Sequence, residues 1–364
     1  MRRSELSLGT MPADHLIREI LRSNDATGVI ISHLPHIRWI CGFTGSTGLL
    51  IARANKFNLL TNSIYETQAA LEVRGAEVNI GSHPMAEFAR DEGLVNSPDK
   101  LIIQPEYLTV GELTCWKTTI PGISFIPIEN LLNEHVAKKS ERAIAGMRRA
   151  QAISDAVFKV ILQYVQPGIR ENELAARMNY HHLMLGASTM AFETIVASGS
   201  NSALPHARPG ERKLQSGEPL LMDFGCIVDG FASDMTRTLH LGEPSNKFIR
   251  AYEAVQATQE RAISSASAGM EVSTVSQVAQ DTLKEFGLDE FFVHSLGHGI
   301  GMKVHEWPRI TSNSSALLQK GYTVTIEPGV YFPGEFGIRI EDTILIDSNT
   351  CERLSTIGRD LLVI

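Results

Sequence analysis

Apolar positions along this chain of 364 residues follow two different rhythms, and the change of rhythm separates two regions. Residues 11–24 carry Leu16, Ile17, Ile20 and Leu21 on one helical face. Brief apolar runs follow at Val29–Ile31, Leu49–Ile51, Leu59–Leu60 and Leu101–Ile103, with helical stretches near 65–74 and 84–92 between them. Strands alternating with helices in this way predict a small α/β domain over residues 1–135. Pro121-Gly122 and the segment around 127–138 read as loop and linker. The glycines of Gly42-Phe43-Thr44-Gly45 read as a turn between strands, since no phosphate-loop lysine follows them.

From Ser140 the spacing lengthens. Ile144, Met147, Ile153, Val157, Val160, Ile161 and Tyr164 recur at steps near three and four, which predicts a long helix with Ser140 as its N-cap and Pro167-Gly168 beyond its end. Further helices are expected at 172–185, 246–267 and 273–286, and strands at 190–197, 219–228, 231–241, 321–327 and 336–346. Residues 136–364 thus form a larger α+β domain.

Composition excludes several roles. Apolar residues make up 43 % and charged residues 20 %, so the chain can bury a core and is not disordered. There are 11 basic against 15 acidic residues up to position 135 and 22 against 26 beyond it, −4 in each part, so neither part offers a basic surface to nucleic acid. Cys41, Cys115, Cys226 and Cys351 are widely separated, which gives no C-x-x-C zinc site and suits a reducing, cytoplasmic compartment. Polar residues follow the N-terminal arginines, so no secretory signal is expected, and no apolar run is long enough to span a membrane.

The chemistry concentrates in the larger region, where seven of the twelve histidines lie between His181 and His305. Asp229-Gly230 is the preferred pair for a two-residue type I′ turn, so opposed residues should have numbers summing to 459. Gly225 then faces Asp234, and Asp223 shares a face with both, roughly 7–8 Å diagonally from Asp234 at the backbone. Gly225, lacking a side chain, leaves room between them. Asp223 lies within Leu-Leu-Met-Asp-Phe, a run that reads as buried, where an unpaired carboxylate costs several kcal/mol and a cation is the simplest remedy.

Downstream, His298 stands in Gly297-His298-Gly299-Ile300-Gly301, where backbone can approach the imidazole closely. Glu327 ends Val324-Thr325-Ile326 ahead of Pro328-Gly329, and Glu341 shares a strand face with Arg339. Four carboxylates with one imidazole form a hard-oxygen donor set suited to manganese, iron, cobalt or zinc. Four negative charges match two divalent ions, which could share a bridging hydroxide and polarise a carbonyl. His305-Glu306 has Arg309, not histidine, three residues after the glutamate, so it is not a zincin helix.

Together Asp223 and Asp234, Gly-His-Gly-Ile-Gly, His305, Ile326-Glu327-Pro328-Gly329 and Arg339-Ile340-Glu341-Asp342 resemble the methionine aminopeptidase, aminopeptidase P and prolidase superfamily of pita-bread metallopeptidases. Ala197–His206 and Ser233-Asp234-Met235-Thr236-Arg237-Thr238 are similar to its Xaa-Pro-cleaving branch, and Gly42–Ser46 to the creatinase-type N-terminal module. The resemblance implies a pita-bread catalytic domain of α+β class preceded by a smaller α/β domain. It implies Asp223, Asp234, His298, Glu327 and Glu341 as ligands of two divalent ions, manganese first, with cobalt, zinc or iron as alternatives. Asp234 and Glu341 would bridge the ions, and Glu327 would also be the general base for an attacking bridging hydroxide. His206 and His305 would contact the scissile amide, His294 would line the substrate pocket, and Arg339 would brace the carboxylates.

The implied activity is hydrolysis of the Xaa-Pro bond at the N-terminus of proline-containing peptides. An aminopeptidase accepting longer chains comes first and a dipeptide-restricted prolidase second. The prolidase would need a cation for the substrate carboxylate, for which Arg208, Arg212 and Arg309 are candidates. A creatinase-like hydrolase without metal and a non-catalytic binding protein on the same fold are disfavoured, because all five ligand positions are intact. A homodimer is also implied. One departure stands at Thr61-Asn62-Ser63-Ile64-Tyr65, where the family often has a segment resembling Thr-Asp-x-Arg-Tyr.

Overall fold

The computed structural model describes residues 13–81 and 84–364, and the chain divides into two units, Met1–Val136 and Ala137–Ile364. The first two positions of the helix expected at 11–24, and the N-terminal stretch read for a signal, lie outside the described residues.

In the first unit, helices α1 (Ala13–Ser23), α2 (Leu34–Cys41), α3 (Glu66–Glu72), α4 (Met85–Asp91), α5 (Val110–Thr119) and α6 (Asn133–Ala137) alternate with six strands. These are β1 (Gly28–Ile31), β2 (Leu49–Ala52), β3 (Phe57–Thr61), β4 (Glu77–Ile80), β5 (Lys100–Ile103) and β6 (Ser124–Pro127), in one sheet of order β4-β3-β2-β1-β5-β6. β1, β5 and β6 run parallel, as do β3 and β4, while β2 is antiparallel to both neighbours. The apolar runs are strands because both faces are covered: every residue of β1 and β2 is buried.

Two local readings need correction. Pro35 starts α2, and Gly42, at φ 86°, closes it by donating to Arg38 O, so Gly42–Gly45 joins a helix to a strand and is not a strand-to-strand turn. α6 occupies part of the segment expected as linker. At the family departure, Asn62 accepts from Ile64 N at 3.1 Å and so caps a single 3₁₀ turn.

In the second unit, Ser140 Oγ accepts from Ala143 N at 3.3 Å and caps α7 (Glu141–Ile161), as its sequence predicts. Helices α8 (Glu171–Met184), α9 (Asn246–Ser265) and α10 (Val272–Glu285) follow close to their expected spans. The strands are β7 (Thr189–Met190), β8 (Ile195–Ser198), β9 (Glu218–Phe224), β10 (Cys226–Val228), β11 (Phe231–Ala232), β12 (Met235–Leu241), β13 (Gly297–Gly299), β14 (Glu306–Ile310), β15 (Thr323–Ile326), β16 (Gly329–Phe332), β17 (Phe336–Arg339), β18 (Asp342–Ile346) and β19 (Cys351–Arg353). They build sheets β12-β9-β8, β11-β10-β7, β14-β13-β15-β18-β19 and β16-β17. Val157, Ile161, Leu174 and Met178 of α7 and α8 pack on Met222, Phe224 and Leu239 of the first sheet. Ala262, Val275 and Ala279 of α9 and α10 cover Val324, Ile326 and Ile344 of the five-stranded sheet. The helices therefore take one face of each sheet and leave the other for the polar groups described below.

The hairpin keeps the register that its turn dictates. Val228 pairs with Phe231, Ile227 with Ala232, Phe224 with Met235 and Asp223 with Thr236, and Asp229 and Gly230 have φ of 51° and 73°. The expected long strands at 190–197, 219–228, 231–241 and 336–346, however, are interrupted: β7 and β8 part at residues 191–194, β9 and β10 at Gly225, β11 and β12 at Ser233-Asp234, and β17 and β18 at Ile340-Glu341, while β15 ends just before Glu327. At each break the chain passes to a different sheet.

Gly225 serves a different end from the one its sequence suggests. A Cβ there would lie 2.0 Å from the Ser233 carbonyl oxygen, so the space is taken by the partner backbone and is not left open between the aspartates. Gly225→Ala is therefore expected to lower the stability of the second unit by roughly 1–3 kcal/mol. A urea midpoint unchanged from the parent protein would contradict this close approach.

Candidate metal centre

Each of the five candidate ligands stands where a strand ends or is deformed. Asp223 is the penultimate residue of β9, Asp234 and Glu341 lie in breaks between strands, and Glu327 follows β15. His298 is the middle residue of β13, where the pairing with β14 shifts register just after it. Its flanking glycines are obligatory: a Cβ on Gly297 would sit 1.9 Å from Thr325 O, and one on Gly299 2.2 Å from Trp307 O. Regular strands send alternate side chains to opposite faces, whereas breaks let neighbouring elements aim side chains at one point.

All five line one cavity of about 660 Å³, together with His206, His294, His305, Arg309 and Arg339. One ligand atom from each of Asp234, His298 and Glu341 lies within 4.8 Å of the others. His298 Nε2 is 3.6 Å from Asp234 Oδ2 and 3.4 Å from Glu327 Oε1. Asp223 stands slightly apart: its Oδ2 accepts from Arg339 Nη2 at 2.6 Å, and its buried Oδ1 has no hydrogen-bond partner among the described residues.

The electrostatics call for positive charge. Burial, followed by the neighbouring carboxylates, drives the Asp234 and Glu341 pKa values well above the usual carboxylate range, with Arg339 opposing. Burial raises Glu327 to about 8 against the pull of Arg339. Burial, then the charge of His305, lowers His298 to about 4, so its ring is neutral. His298 Nδ1 lies 3.0 Å from Gly299 O, which can only accept, so the proton is on Nδ1 and the Nε2 lone pair faces the carboxylates. A lone pair aimed at anionic oxygens, in the same cavity as a buried oxygen that has no donor among the described residues, is the donor set of a cation site. Divalent ions fit it.

The carboxylates are held from behind. Thr236 Oγ1 donates to Glu341 Oε2 at 2.6 Å and accepts from Arg339 Nε at 3.1 Å, so Arg339 braces both Asp223 and, through Thr236, Glu341. Thr325 Oγ1 accepts from His298 N and donates to Glu327 Oε1.

Tyr331 is a site residue that the sequence reading missed. Its hydroxyl accepts from Arg339 Nη1 at 2.7 Å and lies 2.9 Å from His294 Nε2. His294 Nδ1 is 2.7 Å from Ser295 O, so Nδ1 donates there and Tyr331 donates to Nε2. Burial lowers His294 to about 4 and keeps it neutral in that chain. The His305 ring packs edge-on against His298, with centroids 4.4 Å apart, and partial desolvation of its imidazole, followed by the charge of Arg309, lowers its pKa. Among the arginines, Arg212 is committed to Glu218 at 2.5 Å and Arg208 lies 3.7 Å from Glu193. Arg309, directly opposite His298 on β14, makes no ion pair among the described residues.

Comparison with known proteins identifies the family of both units. Residues 145–348 match the family model of metallopeptidase family M24, and residues 15–135 that of the creatinase/prolidase N-terminal domain. A Xaa-Pro dipeptidase of Pyrococcus horikoshii is 32 % identical over 348 residues, covering 95 % of this chain and 97 % of that protein. The solved structure of a Xaa-Pro dipeptidase from Bacillus anthracis superposes with a TM-score of 0.91 at 30 % identity, covering 96 % of this chain and 99 % of that one. That of an X-Pro aminopeptidase from Thermotoga maritima gives 0.85 at 31 %, covering 94 % and 100 %. The chain belongs to the Xaa-Pro peptidase branch of metallopeptidase family M24, a metal-dependent exopeptidase that carries the pita-bread catalytic fold behind a creatinase-type N-terminal domain.

Proposed function

We propose that the protein hydrolyses the Xaa-Pro bond of dipeptides, using two divalent ions held by Asp223, Asp234, His298, Glu327 and Glu341, manganese being the ion proposed first. The observation that carries this reading is the meeting of these five side chains at one cavity in which an oxygen of Asp223 has no donor among the described residues. Bound divalent ions supply Lewis acidity, polarising the scissile carbonyl and lowering the pKa of water in the site.

The chain's own groups do the rest. Glu327 takes the proton from the attacking water, with one of its oxygens steadied by Thr325. The amide nitrogen of proline carries no hydrogen and must gain a proton for the bond to break. His305 and His206, imidazoles at the cavity wall, are placed to pass on to that nitrogen the proton that Glu327 takes from water. Burial keeps His294 neutral, and the chain from Arg339 through Tyr331 orients it beside the substrate space.

The sequence ranks an aminopeptidase ahead of a dipeptidase, and Arg309 favours the reverse. It is a guanidinium on the cavity wall, opposite His298 and without an ion pair among the described residues, suited to a bidentate grip on the carboxylate that a dipeptide has next to its proline. A longer peptide has an amide there. The relatives include both dipeptidases and an aminopeptidase, so the choice rests on Arg309. A cytoplasmic location is consistent with four free cysteines and with the absence, among the described residues, of a helix long and apolar enough to cross a membrane. A homodimer completes the proposal.

Manganese-reconstituted protein is expected to cleave Xaa-Pro dipeptides in preference to Xaa-Pro-Xaa tripeptides, and chelation to abolish both activities. Equal rates on the two lengths would return the reading to an aminopeptidase. Arg309→Ala should cut kcat/KM for the dipeptide by about ten- to a hundredfold and leave the tripeptide nearly unaffected. A uniform loss on both would remove Arg309 from carboxylate binding. Glu327→Gln should abolish turnover, and His305→Ala should slow it on the order of 10²–10⁴-fold. Near-normal steady-state rates in either variant would overturn its assigned role.

A further inference from the structure

His206 presents a positional problem. It is exposed on the cavity wall and makes no hydrogen bond of its own among the described residues, so its place is set by the backbone on either side. That backbone is the segment Ser198–Gly210, which leaves β8, passes through a 3₁₀ turn at Gly199–Ala203 and returns toward β9.

Both ends of the segment meet at a single carboxylate. Glu171, the first residue of α8, is fully buried. Its Oε1 accepts from Ser198 N at 2.7 Å, Ser198 Oγ at 2.8 Å and Asn201 Nδ2 at 3.1 Å. Its Oε2 accepts from Asn201 Nδ2 at 3.1 Å and Gly210 N at 3.3 Å. The backbone beside it adds Asn172 N to Gly210 O and Glu171 N to Arg212 O. Glu171 makes no ion pair among the described residues. A carboxylate buried without a cation is costly unless several donors converge on both of its oxygens, which is the arrangement here, assisted by the N-terminus of α8. Within the loop, Ser202 Oγ accepts from Gly337 N and Pro205 O accepts from Arg339 Nη1, so the residue just before His206 is tied to the guanidinium that braces the metal carboxylates.

We propose that Glu171 is a positioning residue that acts through His206. By closing Ser198–Gly210 on one carboxylate it holds the imidazole against substrate, though it lies outside the cavity. The inference rests on the peptidase reading, in which His206 contacts the scissile amide.

Glutamine can accept at only one of the two oxygens, so Glu171→Gln should release the Gly210 end while preserving side-chain volume. Three readouts test this: amide hydrogen exchange of residues 199–210, manganese affinity by calorimetry, and kcat/KM on a Xaa-Pro dipeptide. Exchange should accelerate tenfold or more, and manganese affinity should stay within about threefold of the parent. The rate constant should fall on the order of tenfold. In a His206→Ala background, adding Glu171→Gln should cost less than about a further twofold, because the two act as one unit. Asn201→Ala, which removes donors from the loop side and leaves the carboxylate in place, should give the same pattern and serves if Glu171→Gln does not fold. Additive losses in the double variant, or unchanged exchange in 199–210, would overturn the proposal. A parent protein that binds manganese but cleaves no Xaa-Pro peptide would instead overturn the peptidase reading, with the exchange result still deciding whether Glu171 closes the loop.

Discussion

Four carboxylates withdrawn from water around one cavity repel one another, and the architecture of the catalytic unit answers that repulsion. Arg339 supplies one compensating charge and spends it on Asp223 and, through Thr236, on Glu341. The remaining excess appears as raised proton affinity at Asp234, Glu327 and Glu341, with burial as its first cause. Divalent ions remove the excess more completely than protons can, because each carries two charges and accepts the lone pair that His298 directs into the same space. On folding grounds alone, the site's stability and its metal chemistry are one property.

Convergence depends on interruptions in otherwise regular sheets, and these are reinforced from outside the cavity. Arg237, three residues after Asp234, donates to the carbonyls of Thr236 and Glu341 and pairs with buried Asp342 at 2.7 Å. Asp342 also accepts from Gln259. Such a buried pair contributes little net stability compared with an apolar replacement, but losing one partner would strand the other. Its position suggests its value: it fixes the chain on both sides of the break that carries Glu341 to the break that carries Asp234. Glu171 does the same for the loop that carries His206, again from a buried position behind the cavity.

What could be read from the sequence was local. The register from Asp229-Gly230 depends on turn geometry and a period of two, and it holds at each strand pair on both sides of Gly225. The Ser140 cap and the long helix follow from near-neighbour chemistry. The breaks at Gly225, Ser233-Asp234 and Ile340-Glu341 were not legible, because hydrophobic patterning continues across them and a change of sheet leaves no mark on period. β16 was hidden behind Pro328-Gly329, which reads as a turn. α5 carries no apolar stripe, with Trp116 its one buried residue. Tyr331 reads as a core aromatic, since its partners Arg339 and His294 lie outside its own strand. Glu171 reads as a solvated first-turn acid, although its donors lie 27 to 39 residues further along the chain. The two residues found only in the structure are those whose meaning depends on distant partners.

The central claim is that the five side chains gathered at these breaks hold a pair of metal ions. The most direct measurement is an anomalous difference map at the manganese edge from crystals grown with manganese. The account predicts two peaks in the cavity, among Asp223, Asp234, His298, Glu327 and Glu341. Peaks elsewhere, or none among these residues, would contradict it.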